Sequence, residues 1–166
     1  IDNPLNEMWS EAILELELVG SNNANIVWEW HLWDHLIQEI DPELPNYGVV
    51  ADHPELQDIN YGNVGSMSDP LGPNGDWKHL NSIDYNEDLD QIIISSRHHD
   101  EIYIIDHSTT TEEAASSSGG NSGKGGNYLY RWGNPQTYGR GNELDHLLSV
   151  QHGVNWIQKG FPGSGN

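Results

Sequence analysis

Cysteine is absent from the 166 residues, so neither a disulfide nor a thiolate metal site is open to this chain. Positive charge is nearly as scarce. Six Lys and Arg stand against 26 Asp and Glu, for a formal net charge of −20, and the first basic residue is Lys78. Nucleic-acid binding rests on Lys and Arg clusters, so that class of partner is excluded. The same excess of acid repels anionic membranes and keeps the chain dispersed in water. No apolar run approaches the roughly 18 residues a membrane helix needs, so no membrane span is expected. Acidic surfaces are common on exported or salt-exposed proteins. The chain starts at Ile1 without a signal-like segment and stops in a Gly/Pro/Ser-rich stretch, so we read it as a piece of something longer.

What is present is strand pattern. "AILELELVG" (12–20) alternates Leu14, Leu16 and Leu18 with Glu15 and Glu17, the period-two signature of a half-buried strand. "IVWEWHLW" (26–33) alternates Trp28, Trp30 and Leu32 with Glu29 and His31 after the turn "GSNNAN", predicting an antiparallel hairpin. Trp28 and Trp30 share one strand face and are expected to pack between blades. "HLIQEI" (35–40) is read as irregular. Residues 41–76 hold Pro42, Pro45, Pro54, Pro70 and Pro73 and read as a long surface connection.

"HLNSIDYN", "QIIISSR" and "EIYIIDHS" follow, separated by the short polar breaks "EDLD" and "HHD". The segment 109–127 is Gly/Ser-rich and predicts a flexible excursion before a fourth strand at "YLYRWG". "SVQHGVNWIQKG" restarts the pattern. Four antiparallel strands, a link and a new first strand predict an all-β chain carrying part of a β-propeller. On that reading 1–40 ends one blade, 41–76 connects, 77–133 is a complete blade, and 134–166 links to the next. A self-contained β-sandwich is the alternative.

Inner strands of propeller blades converge on one funnel. His79 opens one such strand and His152 the next, while Arg97 ends the strand adjacent to the first. Two imidazoles and a guanidinium form an anion site suited to a sulfuryl or phosphoryl group. Arginine offers a planar fork of donors, and a neutral histidine is a competent nucleophile. His31, His53, His107 and His146 lack a partner motif, and His98 and His99 are expected in solvent. Zinc at His98, His99 and Asp100 is disfavoured because neighbouring strand residues point to opposite sides. Calcium at Asp69–Asp76 lacks the full carboxylate pattern. No metal and no cofactor are expected.

"DWKHLNSIDYNEDLDQIIISSRHHDEIYIID", "YLYRWGNPQTYG" and "QHGVNWIQKGFPGSGN" together resemble the bacterial arylsulfotransferase (aryl-sulfate sulfotransferase) family from about Ile26 onward. The resemblance implies a six-bladed propeller that moves a sulfuryl group from an aryl sulfate to a phenol without a nucleotide sulfate donor, through a sulfurylated histidine. It implies a periplasmic or extracellular location and small-molecule phenolic partners. Carried over by motif, His152 in "QH" matches the nucleophile, and His79 in "H-x-N-S-I" and Arg97 in "S-S-R" match residues that hold the sulfuryl oxygens. His35 in "WDH" is the candidate for a further active-site histidine. The alternatives are a non-catalytic propeller segment that binds a ligand or self-associates through exposed blade edges, and a hydrolase using the same anion site with water as acceptor.

Overall fold

The computed structural model describes residues 5–65 and 74–164. The chain is mostly β, and its larger sheets are antiparallel. Strands β1 (Ala12–Val19) and β2 (Asn23–His31) form a hairpin. Strands β3 (Leu36–Ile37) and β4 (Gln57–Asp58) make a two-residue parallel pair. A four-stranded antiparallel sheet runs in sequence order through β5 (Leu80–Asn86), β6 (Gln91–Ser96), β7 (Glu101–Asp106) and β8 (Tyr130–Trp132). The expected four-strand unit is therefore present. Among the described residues no ring of such sheets closes.

One core joins the hairpin to the sheet. It contains Ile13, Trp28, Trp30 and Leu32 from the hairpin side, Ile92, Ile94, Tyr103 and Ile105 from the sheet, and Trp77 and Tyr128 from the connections. Both hairpin tryptophans are buried, as their alternation predicts, and each indole N–H is paired. Trp28 donates to Thr109 Oγ1 at 3.1 Å and Trp30 to the Gly126 carbonyl at 2.8 Å. Burying a side chain of this size contributes roughly 4–6 kcal/mol of transfer free energy.

The leucine face of β1 is a correction. Ile13 pairs with Trp30 and faces the core, whereas Leu14, Leu16 and Leu18 lie exposed on the other side, Leu18 at 80 %. The register decides it, since the strand must present the side aligned with the tryptophans. Ile26, opposite Leu16, is exposed too.

Three other segments differ from expectation. Residues Leu32–His35 form a 3-10 turn that ends the strand expected over 26–33 early, and it leads directly into β3 within the stretch 35–40 expected to be irregular. The described part of the connection, 41–65 and 74–76, is tied down, with Val50, Gln57 and Val64 buried, while most of the calcium candidate Asp69–Asp76 lies outside the described residues. The Gly/Ser-rich segment is ordered around a short helix, α1 (Thr111–Ala114), closed by a capping box between Thr110 and Glu113. Its return leg is fixed by Asp106, whose carboxylate accepts from the Ser122 and Ser108 amides. Glycines at 119, 120 and 125 take positive φ, so the composition that suggests flexibility supplies the turns instead.

Candidate functional site

His79 stands immediately before β5 and Arg97 immediately after β6. The antiparallel register sets Leu80 opposite Ser96, and the next rung is a backbone bond from the Arg97 N–H to the His79 carbonyl at 3.2 Å. The hairpin thus brings the two residues to one sheet end. Lys78 is wholly buried on one side, yet His79 turns outward because its backbone is left-handed (φ +49°), a conformation costly for a residue with a Cβ.

His152 arrives from the other end of the chain. Residues 151–156 form no regular strand but run beside β5, held by its side chains. Asn81 Nδ2 donates to the Gln151 carbonyl at 2.9 Å, the Val154 N–H donates to Ser82 Oγ at 2.9 Å, and the Trp156 N–H to Asp84 at 2.8 Å. Gln151 Nε2 reaches the carbonyls of Ser96 (2.9 Å) and Glu101 (3.0 Å), locking the backbone beside His152 to the ends of β6 and β7. Asp100 accepts from the Val150 N–H and from His146 Nε2. The His152 ring lies edge-on to His79 at a centroid separation of 5.7 Å, and it is exposed. The rings of His79 and His152 meet, and the Arg97 backbone lies beside that of His79.

Three further groups border the site. The Asp76 carboxylate accepts from His79 Nδ1, which leaves the opposite ring nitrogen free to face outward. The His98 ring packs on His79 at 5.0 Å. Burial holds its pKa below the ordinary value, Asp76 opposes that shift, and His79 and Arg97 add to it. Glu11, just before β1, accepts weakly from the Leu80 N–H at 3.4 Å. Burial raises its pKa and the nearby Asp76 raises it further. The spacing D-x-x-H from Asp76 to His79 is the signal that could have drawn Asp76 in.

His35 is placed elsewhere. Its ring is buried and stacks on Trp30 at 5.5 Å, with Nδ1 at 3.0 Å from Asn127 Oδ1 and Nε2 at 2.8 Å from the Ala114 carbonyl. With both nitrogens engaged by protein atoms, the ring has no group left for a substrate. The histidines without a motif are engaged as well. His31 pairs with Glu29, His53 with Glu55, His107 with Asp90 and Glu15, and His146 with Asp100.

His99 is the second correction, because it is 1 % exposed rather than solvated. It packs against Tyr61 and edge-on against Trp77, and among the described residues neither ring nitrogen has a hydrogen-bond partner of good geometry. Burial above all, then the charges of Lys78, Arg131 and His98, holds its pKa well below the ordinary value. The folded state therefore keeps the ring neutral while the unfolded chain takes up a proton below about pH 6.5. Stability is whole above that pH and falls on acidification, by at most about 1.4 kcal/mol per pH unit from this residue. His99→Phe should remove that contribution. In urea titrations at pH 7.5 and 5.5, the advantage of the variant over the parent should widen at the lower pH; a constant difference would refute the assignment.

The family model described as arylsulfotransferase (ASST) matches residues 11–158, most of the 166-residue chain. No curated protein and no solved structure matches it.

Proposed function

Because the chain belongs to the arylsulfotransferase family, we propose that it carries the sulfuryl-transfer centre of such an enzyme, with His152 as nucleophile. The observation that supports this reading most is the meeting of His79 and His152, 73 positions apart, beside the strand end that carries Arg97. Among the described residues the His152 ring nitrogens hold no hydrogen bond, so a lone pair is available for attack.

In the proposed cycle a neutral His152 nitrogen forms a bond to sulfur as the bond from sulfur to the aryl oxygen breaks. The phenolate leaves and takes a proton from a neighbouring imidazole, His79 being in reach. Arg97 and His79 donate to the sulfuryl oxygens, where donors fixed before reaction act most strongly. An acceptor phenol then gives its proton to that same imidazole as its oxygen attacks sulfur, and the S–N bond breaks to return His152 neutral. His35 has a packing role in this reading. The partners are a phenolic sulfate and a phenol, no nucleotide sulfate enters, and the fold is a portion of a propeller located outside the cytoplasm.

Intact-mass analysis after brief exposure to a chromogenic aryl sulfate tests the reading. One added sulfuryl group per chain is expected, located on His152, absent from His152→Ala and discharged by added phenol. No adduct on folded protein, or an adduct that survives the substitution, would sink it. Discharge by water at the same rate as by phenol would make the protein a hydrolase.

A further inference from the structure

The aryl-sulfate reading leaves His98 and Glu11 without a role, and gives Asp76 none beyond orienting the His79 ring. A carboxylate beside an anion site weakens binding of the anion, and two of them lie here. Asp76, His79 and His98 each offer one ligand atom, and the three atoms lie within 4.8 Å of one another. All three residues are half-buried, so the group is open to solvent on one side. Two imidazoles and one carboxylate form the donor set that first-row transition metals favour over calcium and magnesium. The His98 ring already packs on His79 at 5.0 Å, and the Glu11 carboxylate stands nearby at the Leu80 amide.

We infer that Asp76, His79 and His98 form a binding site for a divalent transition-metal ion of the Zn2+ type. Bonds of about 2.0–2.2 Å put neighbouring ligand atoms of a tetrahedral shell about 3.3 Å apart. The direct bond between Asp76 and His79 must therefore open slightly, with loss of the Nδ1 proton, and His98 must move inward. The fourth position is left for water or for His152, whose ring already sits 5.7 Å from that of His79. The site differs from the disfavoured group of His98, His99 and Asp100. His99 is sealed against Tyr61 and Trp77, and Asp100 is engaged with Val150 and His146.

Metal uptake itself does not depend on the proposed enzymatic activity. The two share His79, and also His152 where it fills the fourth position, so the ion and the sulfuryl group compete and Zn2+ should inhibit transfer. The test is calorimetric titration of the chelator-washed chain with Zn2+, paralleled by the visible spectrum of Co2+. One ion per chain with micromolar or tighter affinity is expected. His98→Ala and Asp76→Asn should each weaken uptake more than tenfold, since even outer partners of a metal ligand are worth 10- to 100-fold. His53→Ala, at the half-exposed pair with Glu55, should leave uptake unchanged. No saturable uptake by the parent chain, or equal uptake by the two site variants with native circular dichroism, overturns the site. Zn2+ uptake in a protein that forms no sulfuryl adduct would reject the transfer reading alone; an adduct without uptake would reject the metal site alone.

Discussion

Glu101→Gln is expected to cost about 3–5 kcal/mol, the magnitude found when one partner of a buried ion pair is removed. Glu101 is fully buried at the head of β7. Its two oxygens accept from Arg131 Nε at 3.2 Å and Nη2 at 2.7 Å, from Tyr103 Oη at 2.8 Å and from Thr137 Oγ1 at 2.7 Å. Glutamine keeps the shape but removes the charge and turns an N–H₂ toward groups that are themselves donors. The Arg131 guanidinium, also buried, would lose its only carboxylate partner among the described residues. Lys78 Nζ donates to Gln57 Oε1 and Tyr103 Oη rather than to Glu101 itself. Burial holds its pKa well below the ordinary value, Glu101 works against the shift and Arg131 with it. Against a typical total of about 5–15 kcal/mol, the loss is a large share of the stability. Urea titration should show a lower midpoint with the same slope. Lys159→Ala, which removes an exposed pair with Asp88, should shift it negligibly. A Glu101→Gln midpoint within error of the parent would refute the account.

His79→Ala should lower kcat for sulfuryl transfer by roughly 10²- to 10³-fold, the cost of deleting one preorganised donor at a developing oxyanion. This follows from the proposed role of His79, and Asp76→Asn separates that role from simple packing. The asparagine can still approach Nδ1 but holds the ring without a charge, so a smaller loss is expected, on the order of tenfold. The readout that decides is the split between kcat and KM, because a ring that loses its orientation should lower kcat while KM changes little. An Asp76→Asn enzyme with unchanged kcat and unchanged KM would show that the carboxylate does not position the ring.

The strands of the larger sheet are legible in the sequence because Ile92–Ile94 and Ile102–Ile105 are short apolar runs bounded by polar turns. Trp28 and Trp30 are legible because alternation states their common face directly. Leu14, Leu16 and Leu18 mislead for a physical reason. Periodicity says that a strand has two unlike faces, whereas the pairing of Ile13 with Trp30 says which one is covered. The Gly/Ser-rich segment misleads because composition does not record that Asp106 and α1 hold its ends. His79 and Arg97 follow from hairpin logic, and His152 from its motif. Asp76 is signalled by its D-x-x-H spacing to His79, whereas His98 joins only through a tilted ring contact with His79, which is not written in residue type. Lys78, Glu101 and Arg131 are invisible to a search for apolar pattern, since each alone would be assigned to the surface.

Arg131 also has a consequence in time. Besides Glu101 and Thr137, its guanidinium donates to the carbonyls of Pro54 and Leu56, at 3.2 and 2.8 Å. One side chain therefore gathers segments separated by as many as 77 positions, all of which must arrive before its charge is compensated. Such distant closures slow folding. The reverse journey is slow as well, because releasing any one segment strands a cation in a dry interior before the others have let go. The amide of Tyr128, bonded to the Glu55 carbonyl at 3.0 Å beside this clamp, should exchange its hydrogen only when the whole molecule opens.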